Sequence, residues 1–463
     1  MKKNINRIAF FNILSILLLQ GISVISSPIF SRLLGTDGYG NLTSFTVWAG
    51  IACTVFSVMT NMTIPNARVE YAEGEQDGYQ SSVMTLSLLV FAVGGILMAA
   101  LAGPISGFLK FEKYMVALLL VQALGAFGTN FLNSKFTYEF QADKNMVLSV
   151  FMAVATMGLS LLLVLLLPEE QRFVGRILGT AIVYGGVGIA ACAWILRRGK
   201  TFYHPGYWKF CLLLSVPMVF QNLSYQVLGN SDILMLKQMV GASDSGIYSL
   251  AFTLAQIMFT IFTALNNSWT PFFFDDMKEG RRENAARQAE HFLELFTVLS
   301  MGFVLLCREV YRIYADESFW AGTQLLPIFV SSYYVNFLCT FPVNFEYFHK
   351  KTGVVAAATI GAAVINLGMN YVFILKFGMM GAAVATLLSH CIQFAMHEAY
   401  SRLVLGKKSY PFKMLTWMKY AAAYAACVAV FYLLPDRWLL RWGLGALIGA
   451  FELWRMWQRK GLL

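Results

Sequence analysis

The sequence predicts an all-α integral membrane protein with two related six-helix lobes and a C-terminal pair of helices, about 14 transmembrane helices in all. Three observations lead to this prediction. The chain of 463 residues is 58% hydrophobic and 13% charged, whereas about a quarter of the residues in soluble domains are charged. Its continuous apolar runs are long enough for helices that cross about 30 Å of hydrocarbon. The first half of the chain also returns, in altered form, in the second half.

The predicted spans are the apolar runs between charged residues. They cover 8–30, 42–65, 81–104, 114–134, 146–167, 174–196, 210–231, 247–271, 289–307, 324–345, 353–375, 379–400, 416–434 and 438–454. The ninth span is interrupted by Glu290 and Glu294, and the fourteenth is closely flanked by Arg441 and Glu452. No small-residue cleavage site follows the first run, so we expect it to remain as a span and not to be removed as a signal peptide.

An internal repeat organises these spans. The segment Arg32-Leu-Leu-Gly-Thr-Asp-Gly-Tyr-Gly-Asn41 follows the first span, and 206 residues later Gln238-Met-Val-Gly-Ala-Ser-Asp-Ser-Gly-Ile247 follows the seventh. We expect a turn at each copy, because glycine accepts backbone angles that other residues avoid. The offset continues without gaps through most of residues 1–410, which indicates a duplication. Since each copy holds six spans, the lobes are predicted to be parallel, with boundaries at 1–205 and 206–411 and a two-helix hairpin at 412–463.

The distribution of basic residues predicts the orientation. Most of the 35 Lys and Arg residues fall on the side of the N-terminus, with clusters at 197–200, 281–287 and 407–413. Basic loops are retained in the cytoplasm, so both termini are predicted to be cytoplasmic. The net charge of +10 is then explained by topology and by anionic lipid headgroups, and binding to nucleic acid need not be invoked.

No catalytic constellation is visible in the sequence. The five histidines are dispersed and the seven cysteines form no CxxC pair, so we predict neither a metal site nor disulfides. No glycine-rich phosphate-binding motif is present, and no loop is long enough for a soluble catalytic domain. We therefore expect a protein that is not an enzyme, without catalytic residues or a cofactor.

Polar residues recur at helical spacing inside four spans, two in each copy of the repeat. In the second span Thr54, Ser57 and Asn61 share one face, and the offset of 206 maps them onto Thr260, Thr263 and Asn267. Any one such stripe is explained equally well by hydrogen bonds between neighbouring helices. Four stripes in symmetric positions favour a shared hydrophilic cavity between the lobes. The predicted cavity residues are Asn12, Gln20, Ser57, Asn61, Asn222, Gln226, Thr263 and Asn267.

Five charged residues lie within or beside the spans. Lys135 and Glu346, at inner span ends, are interpreted as side chains that reach the membrane interface. Arg32, Asp232 and Lys237 border the outer half of the predicted cavity and are candidates for binding a charged headgroup. Asp232 continues the polar stripe of its helix, so it is also a candidate for a coupling proton or sodium ion.

Two motifs carry a resemblance to a known family. The segment from Arg32 to Gly40, and the run from Asp232 to Leu236 with Gly241 and Gly246-Ile-Tyr-Ser249, resemble the polysaccharide biosynthesis flippases. These export O-antigen or capsule repeat units and belong to the multidrug, oligosaccharidyl-lipid and polysaccharide exporter superfamily. The resemblance implies a V-shaped pair of lobes in the cytoplasmic membrane that moves a polyprenyl-diphosphate-linked oligosaccharide by alternating access. It also implies a monomer in the bilayer, working beside a polysaccharide polymerase or glycosyltransferases.

The chain departs from this family in one respect. Relatives that bind diphosphate are expected to line the cavity with cations, whereas the stripes here are neutral apart from Asp232. Arg32 and Lys237 are the nearest cations to it in the predicted cavity.

Two other functions remain as alternatives. A multidrug-extrusion antiporter of the same superfamily would be favoured by an acidic group deep in the first or second span, and neither span has one. A membrane glycan polymerase or ligase would be expected to carry a large outer loop with catalytic residues, which the sequence lacks. The sequence therefore favours a flippase.

Overall fold

The computed structural model describes the backbone of residues 5–406 and 409–458, and it describes side chains from residue 25 onward except those of 453, 456 and 457. Within these ranges all regular elements are helices, which confirms the predicted all-α membrane fold. Contacts divide the chain into two units, Met1–Asn230 and Ser231–Leu463. The boundaries drawn from the repeat remain a prediction.

The first unit consists of seven helices and the first part of an eighth. These are α1 (Ile5–Ser57), α2 (Ile64–Glu70), α3 (Gln76–Ala100), α4 (Ala102–Leu109), α5 (Lys113–Tyr138), α6 (Ala142–Leu166), α7 (Arg172–Gly199) and α8 (Pro205–Met239). Glycines bring α5 and α7 into backbone contact. A Cβ atom on Gly125 would lie 2.3 Å from the carbonyl carbon of Tyr184, and one on Gly128 would lie 2.4 Å from the carbonyl oxygen of Gly188. Small residues allow such close approach between membrane helices.

The second unit contains the end of α8 and six further helices. These are α9 (Ala242–Lys278), α10 (Arg282–Tyr314), α11 (Leu326–Phe348), α12 (Thr352–Leu403), α13 (Met414–Leu433) and α14 (Trp438–Gln458). Aromatic side chains fill much of its interior. Trp269 of α9 packs edge-on against Phe341 of α11, with ring centroids 5.0 Å apart, and Phe412 lies 5.4 Å from Phe341.

Two glycines divide the longest helices. Gly35 in α1 has a φ of 65° and Gly378 in α12 has a φ of 56°, a region that glycine adopts readily. When α1 and α12 are split there and the short α2 and α4 are set aside, the described residues form 14 long helices, as predicted. By length and composition nine unsplit described helices are apolar enough to cross a membrane, or ten with the bent α1–α2 pair. Helices α10 and α14 are not among them, and they carry the interrupted ninth and closely flanked fourteenth predicted spans.

The predicted turn after the first span is shorter than expected. Only Gly35 leaves the helical conformation, and Gly40 continues in α1. The equivalent Gly241 precedes α9, and Gly246 lies inside that helix. One glycine in each copy is therefore sufficient for the break.

The repeat offset is not uniform. Helices α3 and α10 begin 206 residues apart, whereas α6 and α12 begin 210 residues apart. At the next helix the offset returns to 206, because Gly175 packs against the backbone of Leu163 just as Gly381 packs against that of Phe373. The expectation of a register without gaps is therefore wrong over the fifth spans. The second copy has a connection shorter by four residues, in which the kink at Gly378 replaces a loop.

The second span is broken where no break was predicted. Helix α1 ends at Ser57, the φ angles of Val58 and Met59 are both 50°, and the chain bends by 56° before it continues to α2. Pro65 lies at the start of α2 and Pro271 lies inside α9, so the prediction that both prolines end spans is wrong. Proline is well accommodated in the first turn of a helix, where its missing N–H is not needed.

Candidate functional site

Two of the predicted polar stripes meet in the first unit. The Gln226 side-chain amide donates hydrogen bonds of 2.7 Å to Thr54 Oγ1 and 2.7 Å to Asn222 Oδ1. Thr54 Oγ1 donates in turn to Asn222 Oδ1 over 3.1 Å. Gly50 makes room for this cluster, since a Cβ atom there would lie 3.2 Å from Gln226 Oε1. The four-residue steps on α1 and α8 thus bring neutral amide and hydroxyl groups together, and Asn222 and Gln226 remain partly exposed.

The lower part of the second-span stripe is buried at the helix break. Ser87 of α3 donates a 2.7 Å hydrogen bond to the carbonyl oxygen of Ser57, which the break leaves without a helical partner. Its hydroxyl also lies 2.7 Å from Thr60 Oγ1. Asn61 is buried and its amide nitrogen lies 3.4 Å from Ser134 Oγ of α5. Ser57 and Asn61 therefore join helices within the first unit.

The equivalent positions of the second unit differ from these. Asn267 is exposed, while Thr263 is partly exposed and donates a 2.9 Å hydrogen bond to the Phe259 carbonyl. Symmetric positions in the sequence therefore have different surroundings, because α9 continues through the position at which α1 breaks. Asn12 and Gln20 lie in α1, but their side chains are outside the described residues.

Asp232 is the centre of a buried polar cluster in the second unit. Its side chain is 4% exposed and accepts three hydrogen bonds from three other helices. Thr386 Oγ1 donates over 2.6 Å, Asn370 Nδ2 over 2.5 Å and Tyr248 OH over 2.5 Å. Because α8 continues to Met239, Asp232 lies within the helix and not at its end as predicted.

A second layer of oxygens surrounds this carboxylate. Asn366 Oδ1 accepts from Asn370 over 3.0 Å and from Ser231 over 3.3 Å, and Asn366 Nδ2 donates to Thr386 over 3.2 Å. Asn370 Oδ1 is buried and has no hydrogen-bond partner. Buried polar atoms are rarely left unsatisfied, so this oxygen and the carboxylate offer ligands to a small cation. Oxygen atoms are the ligands that hard cations prefer.

Sequence reasoning found Asp232 but missed its three partners. Two signals were available: Asn366 and Asn370 are four residues apart in an apolar run, and the repeat pairs Thr386 with Thr180. Tyr248 gave no signal. No group of three His, Cys, Asp or Glu side chains that could hold a metal ion occurs among the described residues, so this cluster does not resemble a transition-metal site.

The charged residues that were expected at the membrane interface are buried. Lys135 is 1% exposed, and its ammonium group lies 2.8 Å from Asp77 and 2.6 Å from Glu139. Glu346 is 0% exposed and lies 2.9 Å from Nδ1 of His397. The interface interpretation is therefore wrong for both. Each long side chain finds polar partners on adjacent helices and does not need to reach water.

The two predicted headgroup cations differ in exposure. Arg32 is exposed on α1, and Lys237 is buried near the end of α8. An exposed guanidinium is accessible to a ligand at the membrane surface, whereas a buried ammonium is not accessible in this conformation. Their role remains a prediction.

Comparison with known proteins assigns the chain to a family. The family model described as "Polysaccharide biosynthesis protein" matches residues 6–277, which is more than half of the chain. The chain belongs to the polysaccharide biosynthesis protein family. Among curated relatives of this family member, the probable low-salt glycan biosynthesis flippase of Haloferax volcanii is 20% identical over 397 residues, covering 82% of this chain and 80% of that protein. An uncharacterized membrane protein of Haemophilus influenzae is 20% identical over 351 residues, covering 74% of this chain and 83% of that one.

Two solved structures share the fold of this family member. The lipid II flippase MurJ in an inward closed conformation has a TM-score of 0.72 at 15% identity and covers 95% of this chain and 97% of its own. The inward-facing conformation of a multidrug resistance MATE family transporter of the MOP superfamily has a TM-score of 0.64 at 15% identity, with 82% and 94% covered. The chain is therefore a multi-pass membrane protein of a flippase and transporter fold.

Proposed function

We propose that this protein moves a polyprenyl-diphosphate-linked oligosaccharide from the cytoplasmic to the outer leaflet of the cytoplasmic membrane, for surface polysaccharide biosynthesis. The observation that carries the proposal is the match to the polysaccharide biosynthesis family over residues 6–277. Transport proceeds by alternating access between the two lobes, with both termini in the cytoplasm. The glycan reaches the protein from glycosyltransferases and is passed on to a polymerase.

The chemistry of the first unit supports a sugar cargo. The cluster of Thr54, Asn222 and Gln226 presents amide and hydroxyl groups on partly exposed side chains. Sugar hydroxyls both donate and accept hydrogen bonds, so they can exchange with the bonds inside such a cluster. A binding site for organic cations would need a carboxylate nearby. In residues 1–65 the only acidic residue is Asp37, beside the kink at Gly35 and far along α1 from Thr54.

We further propose that Asp232 couples transport to a sodium ion or a proton. Its carboxylate, the unpartnered Asn370 Oδ1 and the hydroxyl of Thr386 provide oxygens for a cation. A cation or proton at this position would relieve the cost of a buried negative charge. The donors come from helices on both sides of Asp232, so its occupancy would change how α8, α9 and α12 pack.

The headgroup role of Arg32 and Lys237 is kept as part of this proposal. Arginine offers a planar fork and lysine a point charge for phosphate oxygens. If Arg32→Gln and Lys237→Gln both leave glycan export intact at normal protein levels, neither residue binds the headgroup.

A deletion strain of the source organism tests the cargo. We expect it to accumulate lipid-linked oligosaccharide that stays inaccessible from outside the cell, and the wild-type gene to restore export. Asp232→Asn should restore little export at any sodium concentration or pH, while Asp436→Asn, an exposed carboxylate of the same unit, should restore it fully. Normal surface glycan in the deletion strain would contradict the cargo, and normal export by Asp232→Asn would contradict the coupling role.

A further inference from the structure

The first unit contains a cation that the proposed function does not yet use. Arg176 of α7 lies among the described residues without a carboxylate within salt-bridge distance. Its Nη1 donates to Ser160 Oγ over 2.6 Å and to Thr180 Oγ1 over 3.3 Å. Its guanidinium carbon lies 4.2 Å from the centroid of the Phe30 ring. One face and one nitrogen of the guanidinium are thus held by α1, α6 and α7.

The other edge of this guanidinium is available. Arg176 Nε is buried and has no hydrogen-bond partner, and Nη2 donates to no atom of the described residues. These two nitrogens lie on the same edge of the planar group, which binds an oxyanion through two parallel hydrogen bonds. A buried donor without an acceptor is unfavourable, and a ligand oxyanion would satisfy it. Four residues before Ser160 on α6, Thr156 Oγ1 is also buried without a partner.

The internal repeat places this cluster at the position equivalent to the Asp232 cluster. The offsets observed for the corresponding helices are 206 for α7 and 210 for α6. The matching pairs are Thr180 with Thr386, Ser160 with Asn370 and Thr156 with Asn366. In the second unit these side chains surround a carboxylate, and in the first unit they surround a guanidinium. The duplicated site has therefore acquired opposite charges in the two units.

We propose that the free edge of Arg176, together with the hydroxyls of Ser160 and Thr156, forms an oxyanion site that takes a phosphate group. Hydroxyl donors and a guanidinium edge match the acceptor oxygens of phosphate. The proposal rests on the proposed function only for the source of the phosphate, which would be the diphosphate of the lipid-linked cargo. Phosphate binding itself follows from the chemistry of the cluster.

Binding to the purified full-length protein tests the site. The probes are farnesyl diphosphate, inorganic pyrophosphate and farnesol, measured by microscale thermophoresis at constant ionic strength. We expect farnesyl diphosphate to bind and farnesol to bind at least tenfold more weakly. Arg176→Gln should weaken diphosphate binding at least tenfold, and Arg176→Lys less. The control is Arg68→Gln, which removes the same charge from an arginine 4.8 Å from the Phe140 ring and should leave binding unchanged.

The remaining outcomes are also decisive. If pyrophosphate binds as tightly as farnesyl diphosphate and both depend on Arg176, the site is an oxyanion site for free phosphate. Ser160→Ala, which keeps the arginine, should weaken binding severalfold even if Arg176→Gln does not fold. Unchanged binding in both Arg176→Lys and Ser160→Ala, or an equal loss in Arg68→Gln, overturns the site. A loss of lipid transport with intact diphosphate binding would contradict the proposed function and leave the site standing.

Discussion

Two cations bind the same carboxylate in the first unit, and we expect them to contribute unequally to stability. Asp77 lies 2.8 Å from the ammonium group of Lys135 and 2.7 Å from Nε of Arg198. Lys135 is 1% exposed and also bonds to the buried Gln80 over 2.7 Å, whereas the Arg198 side chain is 48% exposed. The substitutions Lys135→Met and Arg198→Gln therefore compare a buried and an exposed partner of one group.

The magnitudes follow from burial. Removing one partner of a buried ion pair costs about 3–5 kcal/mol, because the other groups lose their compensation. Lys135→Met leaves Gln80 without its donor and Glu139 without its partner, while Asp77 keeps Arg198, so we expect about 3 kcal/mol. An exposed pair contributes about 0–1 kcal/mol, which is the loss expected for Arg198→Gln. On the usual scale the difference corresponds to roughly 5–10 °C in unfolding temperature.

Thermal unfolding of the purified variants in one detergent measures this difference, with far-ultraviolet circular dichroism as the signal. The effect of Arg198→Gln should also shrink at high salt, whereas that of Lys135→Met should not, because buried pairs are screened little. Equal losses in the two variants would refute the argument that burial decides the contribution of each cation.

Three further predictions concern packing, backbone and topology. Gly128→Val should prevent accumulation of folded protein, because its side chain would overlap the α7 backbone, whereas Gly158→Val, which meets nothing within 4 Å, should accumulate normally; membrane levels by immunoblot check this. Met59→Val should lower the unfolding temperature by the equivalent of about 1–2 kcal/mol, because a branched side chain disfavours the left-handed conformation, and Met59→Gly should not; a lower temperature for the glycine variant would contradict this. A single cysteine at the exposed Arg197 should react with an impermeant thiol reagent only in inverted vesicles, and labelling in intact cells would reverse the orientation; the neighbouring Gly199 is unsuited, since a side chain there would lie 2.0 Å from the backbone of Asp77.

The fold could be predicted from the sequence because it depends on composition and periodicity. Apolar length gave the number of long helices, and glycine chemistry indicated the breaks at Gly35 and Gly241. The break at Val58 and Met59 could not be predicted, since neither residue favours a left-handed conformation. It depends on tertiary contacts, including the hydroxyl of Ser87 that binds the freed carbonyl of Ser57.

The candidate site was only partly accessible to sequence reasoning. Helical spacing identified Asn222 and Gln226, because contacts along one helix face follow from a fixed period. It could not show that Asn370 and Thr386 bind Asp232, because those contacts join residues more than 130 positions apart. Lys135 was misplaced for the same reason: a lysine at a span end has the same local pattern whether it meets water or a buried carboxylate.

The central claim is that this protein moves a lipid-linked oligosaccharide across the bilayer, and reconstitution tests it directly. Purified protein is placed in liposomes that carry a fluorescent polyprenyl-diphosphate oligosaccharide in both leaflets, and an added glycosidase releases the sugar from the outer leaflet. The account predicts that all of the sugar becomes accessible when the protein is present, but only about half with empty liposomes or with Asp232→Asn. If half remains protected with the wild-type protein while the same vesicles transport an organic cation such as ethidium, the protein is a drug transporter and the account is contradicted.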